Sequence, residues 1–179
     1  MSWLDRPDAW PPRRAGAPGG FPENWTWHSE PVVPGPAVVV DIDGVLSDAS
    51  TRQHYIEAPR ADWRAFFDAC GEDQVIEEVR QLLDLLDATL QVVLLTARPH
   101  RVHPLTEAWL RHYRIRWDLL IMRSWGDYDW ARDYKQGSVY DLRRLGFDLR
   151  LAFEDDPNNV EMFRQAGIPC LYVHSGYYG

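Results

Sequence analysis

Two aspartates one residue apart are the most chemically suggestive feature of this sequence. Asp41 and Asp43 follow the apolar run 37–40, so a buried strand is expected to deliver both carboxylates at its end. Two anions in such a place are costly to desolvate without a metal or a bound proton, which favours divalent-cation chemistry. Because Gly44 follows Asp43, a strand that runs into an ordinary Asp-Gly turn is the alternative interpretation.

A hydroxyl and a guanidinium end the next apolar run. Thr96, Ala97 and Arg98 follow residues 90–95, which places these groups at the same edge of a parallel sheet as Asp41. Both groups suit a phosphate. A threonine is also a good strand former and Arg98 could be an ordinary surface charge, so a structural role stays open.

Three acids follow a later apolar run. Glu154, Asp155 and Asp156 come after residues 149–153 and before a proline at which a helix is expected to begin. Asp156 has the position of a helix-capping residue, whereas capping explains Glu154 and Asp155 less easily. Oxygen ligands from two strand ends suit Mg²⁺.

Lys135 is the only lysine in the chain and lies at the start of a predicted helix. Its ammonium group could neutralise both a phosphate oxygen and the acidic cluster. The alternative interpretation is an exposed helix lysine.

Short apolar runs alternate with helical patterns from residue 37 onward, which is typical of a parallel sheet with crossover helices. The predicted strands are 37–41, 90–96, 119–123, 149–154 and 170–174. The predicted helices are an apolar stripe over 75–86, then 104–113, 135–145 and 157–166. Five strands with these crossovers make a doubly wound α/β sheet, which binds ligands beyond the carboxyl ends of its strands. This rule points to Asp41, Thr96, Arg123 and Glu154.

Composition narrows the class of protein. With 179 residues and 45% apolar content, one domain with a sizeable core is expected. The formal charge of −8 opposes generic adhesion to nucleic acids or anionic membranes, so any polynucleotide must be held locally. Cys70 and Cys170 are far apart in apolar settings, which favours buried, reduced thiols. No long apolar run or signal-peptide pattern occurs, so a cytoplasmic location is expected.

The first 36 residues differ from the rest of the chain. They hold eight prolines and tryptophans at positions 3, 10, 25 and 27, without sustained periodicity. Because tryptophans are costly to leave in water, we expect an extended arm that lies along the globule or a neighbouring subunit. Residues 37–179 are then the main domain.

Taken in order, DIDGV, LLTARP, Lys135 and FEDDP resemble the motifs of the haloacid dehalogenase-like (HAD) phosphohydrolase superfamily over residues 37–174. This resemblance implies a Rossmann-like fold, magnesium as cofactor, and a minimal cap over residues 46–71. It also implies that Asp41 is a nucleophile that forms an aspartyl-phosphate, and that Asp43 is a general acid and base. Thr96 and Lys135 would hold the phosphoryl oxygens. By the same resemblance, the predicted metal ligands are the Asp41 side chain, the Asp43 backbone carbonyl and the acidic pair. Asp155 would be the first ligand of that pair and Glu154 the second.

A narrower resemblance is to the 3′-phosphatase domain of phage-type polynucleotide kinase-phosphatases. It rests on Met122-Arg123, on residues 160–164 and on 170–178, and it is less specific than the catalytic motifs. No GxxxxGK[ST] phosphate loop occurs, so a phosphatase without the kinase half is expected. The predicted substrate-binding residues are Gly44, Ala97, Arg98, Arg123 and Arg132.

Other aromatic and basic residues of this part of the chain have two interpretations. Trp63, Phe66 and Phe67 could stack on a base, although their spacing favours packing on the core. Arg101 could contact a phosphate or be a surface charge. His100 and His103 could suggest a metal pair, but no second pair accompanies them.

Three functions agree with these patterns. The first is a magnesium-dependent phosphomonoesterase whose substrate is the 3′ end of a nucleic acid or a nucleotide. The second is a phosphatase of 5′-nucleotides or small metabolites, which the acidic net charge favours. The third is a non-catalytic binding or scaffold protein with the same fold, which the aromatic arm favours. No membrane partner is expected, and the oligomeric state stays open.

Overall fold

The computed structural model describes residues 20–57, 59–124 and 130–178. Its strands are β1 (Trp25–Trp27), β2 (Pro36–Val40), β3 (Ser47–Asp48), β4 (Gln74–Val75), β5 (Gln91–Pro99), β6 (Leu119–Arg123), β7 (Asp148–Glu154) and β8 (Cys170–Tyr172). Its α-helices are α1 (His54–Glu57), α2 (Trp63–Asp68), α3 (Glu77–Leu85), α4 (His103–His112), α5 (Ala131–Arg144) and α6 (Pro157–Gln165).

The main sheet has the order β1-β6-β5-β2-β7-β8. The five predicted strands are confirmed, and they pair in parallel as expected. The chain winds outward from β2 through β5 to β6, and then α5 carries it across to β7 on the other side of β2. The winding direction therefore reverses at β2, whose carboxyl end leads to Asp41. Such a reversal opens a crevice at the strand ends, where ligands bind in doubly wound sheets.

The central strand β2 is buried on both faces because alternate side chains point to opposite sides of a sheet. Ala37 and Val39 belong to one apolar cluster, which includes side chains of α5 and α6. Val38 and Val40 belong to the other, which includes side chains of α3 and α4. Each fully buried valine contributes about 1.5–3 kcal/mol, so the strand that precedes Asp41 is firmly anchored.

The N-terminal segment adds an edge strand that was not predicted from the sequence. Within the segment 1–36, β1 pairs antiparallel with β6, with Trp25 opposite Ile121. The ring of Trp25 is buried and lies 5.9 Å from the ring of Phe147. The described part of the arm thus lies along the globule. Trp3 and Trp10 lie outside the described residues.

A small insertion lies between β2 and α3. The antiparallel pair β3 and β4 closes its base, with Ser47 opposite Val75. Between these strands, the chain forms α1, α2 and two short 3₁₀ turns, at Ser50–Arg52 and Cys70–Glu72. The predicted insert at 46–71 therefore consists of short helices beside the carboxyl end of β2.

The start of α6 follows the expected capping chemistry. The Asp156 carboxylate accepts a hydrogen bond of 2.8 Å from the Asn158 N–H, and Pro157 takes the first helical position. This arrangement fixes where the chain leaves the end of β7. It therefore also fixes the position of Asp155.

No helix of the described ranges is long and apolar enough to cross a membrane.

Both cysteines are buried and free, as predicted. Burial and the nearby Glu154 charge raise the pKa of the Cys170 thiol to about 12, and burial also raises the pKa of Cys70. We expect neither thiol to react with iodoacetamide at pH 8 in the native protein, because little thiolate forms. Mass spectrometry should find two labels only after unfolding in guanidinium. A labelled thiol in the native protein would contradict this placement.

Candidate active site

Asp41 directly follows β2 and is buried beside Lys135. The Lys135 ammonium lies 2.9 Å from Asp41 Oδ2 and donates a hydrogen bond of 2.7 Å to Glu154 Oε2. The other Asp41 oxygen accepts a bond of 2.8 Å from the Ile42 N–H. Lys135 is only 2% exposed, so it is not the solvated helix lysine of the alternative interpretation. It joins the ends of β2 and β7.

Asp155 completes a group of three buried acids. One carboxylate oxygen each from Asp41, Glu154 and Asp155 lies within 4.8 Å of the others. Ser175 lies close to Asp155, yet neither Asp155 oxygen has a hydrogen bond of ordinary geometry among the described residues. Three carboxylates and the single Lys135 ammonium carry a formal charge of −2. Such a donor set fits a divalent cation that prefers oxygen ligands, such as Mg²⁺.

Burial and mutual repulsion disfavour the ionised forms of Asp41 and Asp155, as their raised pKa values indicate. Burial and the Glu154 charge raise the pKa of Asp41 well above its usual range, and Lys135 only partly opposes this. Burial and the Asp41 charge raise the pKa of Asp155 to about 7. Burial disfavours the Lys135 ammonium, but Asp41 and Glu154 outweigh it and raise the pKa of Lys135. A bound divalent cation would stabilise the ionised carboxylates.

Gly44 allows Asp155 to reach this group. Its φ of +82° lies in the left-handed region, which glycine adopts without steric cost. A Cβ atom at this position would overlap the Asp155 carboxylate. The glycine of the DIDGV motif is thus required by the backbone conformation and by the close approach of Asp155. The simple turn of the alternative interpretation does not explain this second requirement.

Replacing Gly44 by Ala should displace Asp155 and lower stability and phosphatase activity together. Gly167→Ala is a matched control, because Gly167 has a φ of +73° and a Cβ added there would meet no atom within 4 Å. Both variants carry the left-handed backbone cost of about 1–2 kcal/mol. We expect only Gly44→Ala to lose activity, by about 10²-fold or more, since misplacement of a site group by about 1 Å has that effect. Equal activities of the two variants would contradict the assigned role of Gly44.

The Asp43 carboxylate is bound by two arginines. Arg98 donates bonds of 3.0 Å from Nε and 2.6 Å from Nη2 to Asp43 Oδ1, and Arg52 Nη2 bonds the same oxygen. Burial alone would raise the pKa of Asp43, but Arg98 and Arg52 outweigh it and lower this pKa to about 2. At neutral pH, Asp43 is therefore held as a carboxylate in a fixed orientation.

The arginine contacts extend into the insertion. Arg52 Nε bonds Asp73 Oδ1 at 2.9 Å, and its guanidinium lies 4.2 Å from the centre of the Phe66 ring. The Ser47 hydroxyl donates to the Asp73 carboxylate, and Trp109 Nε1 donates to the Asp73 carbonyl at 2.8 Å. Neither Arg52 nor Asp73 was predicted from the sequence. Nothing in the local pattern marks them, because their partners are distant in the sequence.

Arg98 differs from the expectation that it contacts substrate directly. Its side chain is completely buried, and its guanidinium is committed to Asp43, Ser47 at 3.1 Å and Thr106 at 3.3 Å. Arg98 lies within β5, which continues through Pro99, and the insertion residues Ser47 and Asp73 pack against its guanidinium. In this structure, Arg98 acts on Asp43 and has no exposed surface to offer a ligand.

The other residues predicted to contact a phosphate differ in how far they are exposed to solvent. Thr96 is buried at the rim, and its Oγ1 accepts a bond of 3.2 Å from the Arg98 N–H. Ala97 follows it in β5 and is partly exposed. Arg123 ends β6 with its guanidinium 5.3 Å from the centre of the Tyr134 ring. Arg132 is exposed, and its guanidinium donates a hydrogen bond of 3.2 Å to Gln165, the last residue of α6.

The aromatic and histidine candidates separate clearly. Phe66 is 5% exposed and packs under Arg52, whereas Trp63 is 55% exposed with its ring 6.1 Å from that of Phe67. Trp63 therefore offers a stacking surface. His100 and His103 stack on each other at 5.0 Å. Within the described part of the chain, neither belongs to a group of three potential metal ligands.

Comparison with known families decides the class of this site. The profile of the polynucleotide kinase PNKP phosphatase domain, a HAD family, matches residues 35–178. The chain belongs to this family. The matched range of the PNKP phosphatase domain begins just before β2 and includes all the site residues described above. Because the matched family model describes a phosphatase domain, the protein is assigned to the phosphatase enzymes, and the match gives no support to a non-catalytic scaffold.

Solved structures support the same fold for this PNKP phosphatase domain. A chain from the "Pnkp1/Rnl/Hen1 complex" matches with a TM-score of 0.65 and 25% identity, over 86% of this chain and 49% of the other. A chain from the "Pnkp1/Rnl/Hen1 RNA repair complex" matches with a TM-score of 0.62 and 24% identity, over 86% and 46%. This protein thus spans about half the length of those chains.

A more distant structure shares the fold alone. A putative phosphoglycolate phosphatase from Lactobacillus plantarum has a TM-score of 0.57 at 12% identity, over 80% of this chain and 88% of the other. None of the curated proteins compared matches the sequence. The HAD fold predicted from the sequence is confirmed.

Proposed function

We propose that this protein is a magnesium-dependent phosphomonoesterase that forms an aspartyl-phosphate on Asp41 and removes a 3′-phosphate from a polynucleotide end or a nucleotide. One observation carries the proposal. Asp41 ends the central strand beside Lys135 and two further buried acids, one of which lacks a hydrogen-bond donor of ordinary geometry among the described residues, in a PNKP-type phosphatase domain.

The metal would be held by the group of three acids. Asp41, Asp155 and Glu154 supply the carboxylate oxygens, and Asp43 is proposed to contribute its backbone carbonyl. Asp155 has the stronger claim to direct contact, because Glu154 already accepts a bond from Lys135, whereas no described residue donates a well-formed bond to Asp155. When bound, Mg²⁺ would offset the negative charge that accumulates when a phosphate approaches two anions.

Asp41 is the nucleophile in this proposal. Its carboxylate oxygen forms a bond to phosphorus as the ester P–O bond breaks, and the leaving alkoxide takes up a proton. Water then attacks phosphorus, the bond to Asp41 breaks, and inorganic phosphate leaves. Lys135 keeps Asp41 oriented and, with Thr96, would hold the phosphoryl oxygens.

Asp43 would serve as the proton-transfer group. The carboxylate form that Arg52 and Arg98 stabilise is the form needed to accept a proton from the attacking water. The first step needs the opposite form, because the leaving alkoxide requires a proton. We infer that Asp43 must loosen its contacts with Arg98 and Arg52 to carry that proton. The arginines therefore favour the second step over the first.

The preference for a nucleic acid end is supported by the family and by the insertion. An insertion of two short helices leaves room for a bulky substrate, and Trp63 on α2 offers an exposed ring. Stacking of a base on such a ring tolerates any sequence. One of the structural relatives comes from a complex described as an RNA repair complex.

The free, buried cysteines agree with the expected cytoplasmic location.

A second candidate is hydrolysis of 5′-nucleotides or small phosphorylated metabolites. The formal charge of −8 favours it, because a long polyanion would be repelled more strongly than a small substrate. The catalytic residues would be the same. The two candidate functions differ only in the part of the substrate that carries the phosphate.

Initial rates on a substrate panel separate these candidates. The panel compares an oligonucleotide phosphorylated at its 3′ end, the same oligonucleotide phosphorylated at its 5′ end, a 3′-nucleotide, a 5′-nucleotide and a sugar phosphate. We expect the highest kcat/KM for the 3′-phosphorylated oligonucleotide in Mg²⁺, with Asp41→Asn as the inactive control. A preference for sugar phosphates over every nucleotide would contradict the polynucleotide assignment.

A further inference from the structure

The densest basic stretch of this acidic chain lies outside the proposed active site. Residues 111–117 read RHYRIRW, with three arginines, a histidine and two aromatic residues and without any acid. Alternating basic and aromatic side chains are typical of surfaces that bind single-stranded nucleic acids. In a protein with a formal charge of −8, such a stretch forms a local exception. The stretch runs from the end of α4 toward the start of β6.

A surface cavity of about 300 Å³ lies against this stretch, and its lining includes Arg111, Arg114, Trp117, His28 and Glu107. The His28 ring meets the Trp117 ring edge-on at 4.9 Å. The guanidinium groups of Arg111 and Arg114 have neither an ion pair nor a hydrogen bond within the described ranges, and both residues are exposed. The cavity therefore combines two uncommitted cations with an aromatic wall.

Arg116 shows what a structural arginine in the same stretch does. Its guanidinium donates bonds of 2.8–3.1 Å to the carbonyl oxygens of Leu83, Leu86, Asp87 and Leu90. These bonds satisfy backbone carbonyl oxygens at and after the end of α3. Within the described ranges, the guanidinium groups of Arg111 and Arg114 make no such bonds.

The backbone of Arg114 is held in an unfavourable conformation. Its φ of +54° makes it the only non-glycine residue of the described ranges with a positive φ. The position follows α4, where the Ile115 N–H bonds the Leu110 carbonyl, and glycine is the usual residue there. Left-handed conformations cost L-residues free energy, and within the described ranges no polar contact of the Arg114 side chain offsets this. A strained, exposed arginine beside a cavity points to a ligand.

The cavity is separate from the proposed active site. The helix α4 begins next to the carboxyl end of β5 and runs back, so that Arg111 lies in its last turn. Asp118, next to Trp117, accepts a bond from the Val92 N–H at the beginning of β5. Val92 and Thr96 are about 13 Å apart along one strand at ~3.3 Å per residue. A mononucleotide at the catalytic rim cannot reach the cavity, but a longer strand can.

We propose that this cavity binds a single-stranded nucleic acid, several nucleotides away from the 3′ end that reaches Asp41. Arg111 and Arg114 bind backbone phosphates, and a base stacks on Trp117 beside His28. Glu107 in the same lining can accept a hydrogen bond from a base amino group, which a plain polyanion lacks. The placement relative to the 3′ end rests on the proposed function. Binding to the cavity does not.

The first test measures binding without turnover. A fluorescent single-stranded oligonucleotide of about 12 nucleotides with a 3′-hydroxyl, which extends well beyond both sites at ~3.4 Å per nucleotide, is titrated and followed by anisotropy. The variant combines Arg111→Gln with Arg114→Gly. The control combines Arg144→Gln with Arg150→Gln and removes the same charge from two exposed arginines elsewhere.

We expect binding to weaken about ten-fold or more in the Arg111/Arg114 variant and to change little in the control. The slope of log K against log salt should become smaller by about 1.4, which corresponds to two phosphate contacts. Arg114→Gly alone should raise the midpoint of thermal unfolding by about 2–4 °C, because glycine relieves the backbone conformation. If binding weakens although Arg114→Gly makes the protein more stable, the loss of binding comes from the lost ligand contacts and not from damage to the fold. Equal weakening in the control would overturn the proposal, and so would equal competition by polyglutamate.

A second test places the cavity on the path of the substrate. In the Arg111/Arg114 variant, KM for a 3′-phosphorylated oligonucleotide of about 12 nucleotides should rise about ten-fold, while kcat and all constants for a 3′-mononucleotide stay unchanged. An equal rise for the mononucleotide would overturn the placement. If no 3′-phosphatase activity is found but the binding loss occurs, the proposed function fails and the nucleic acid site stands.

Discussion

Asp41→Asn should lower phosphate release by at least about 10⁴-fold, the largest effect expected of any single substitution in this protein. The amide cannot displace the ester oxygen, and no other carboxylate of the described ranges holds the same position at the end of β2 beside Lys135. Release of inorganic phosphate from a 3′-phosphorylated oligonucleotide in Mg²⁺ is the measurement.

The fold should survive this substitution, so the loss can be assigned to chemistry. Asn is nearly isosteric with Asp, and Lys135 keeps its hydrogen bond to Glu154. The neutral amide also replaces a carboxyl group whose ionised form burial disfavours, as its raised pKa indicates. The midpoint of urea unfolding should therefore change by less than the equivalent of about 1 kcal/mol. Retention of more than a few per cent of the wild-type rate would show that Asp41 is not the nucleophile.

Arg98→Met should lower the free energy of unfolding by about 3–5 kcal/mol, the largest stability effect that we expect. The arginine is completely buried and contacts both Asp43 and Asp73. Its loss leaves the buried Asp73 and the partly exposed Asp43 carboxylates with Arg52 as their remaining guanidinium partner. The measurement is equilibrium unfolding in urea. Arg98→Lys keeps the charge but loses the planar fork, so an intermediate loss is expected.

Arg101→Met provides the matched control for this comparison. Arg101 lies three positions further along the chain, and its ion pair with Asp68 is partly exposed to solvent. Exposed pairs contribute about 0–1 kcal/mol, so this variant should remain close to the wild type. If Arg98→Met were no more destabilising than Arg101→Met, the Arg52, Arg98, Asp43 and Asp73 contacts would not contribute to the fold as described.

The strands could be predicted from the sequence because parallel strands buried on both faces are short, continuous apolar runs. The run before Asp41 is of this kind. The run before Glu154 is interrupted by the exposed Arg150, but it ends in the buried Ala152 and Phe153, and the two strands are neighbours in the sheet. Their ends converge for a topological reason, which is why Asp41, Lys135, Glu154 and Asp155 could be grouped from the sequence. The edge strand β1 could not, because three residues within a proline-rich segment carry no periodic signal.

The surroundings of Asp43 could not be predicted for a different physical reason. Arg52, Asp73 and Arg98 meet beside Asp43 only because the insertion folds back onto the end of β5. The contacts within this group of four residues span 9 to 55 positions of sequence. A sequence shows an isolated arginine at each position but not the carboxylate that it contacts. The expectation that Arg98 faces substrate followed from its place after Thr96. Its complete burial follows from packing that this place does not encode.

Recovery of activity by Mg²⁺ tests the assignment of a metal-dependent phosphatase at the three acids. Wild-type protein and Asp155→Asn are stripped with EDTA, and phosphate release from a 3′-phosphorylated oligonucleotide is followed while Mg²⁺ is added back. We expect no turnover without metal and saturable recovery in the wild type. Asp155→Asn, which lacks one carboxylate ligand, should require at least about ten-fold more Mg²⁺. Full activity after stripping, or identical Mg²⁺ curves for the two proteins, would show that the three acids do not hold a catalytic metal.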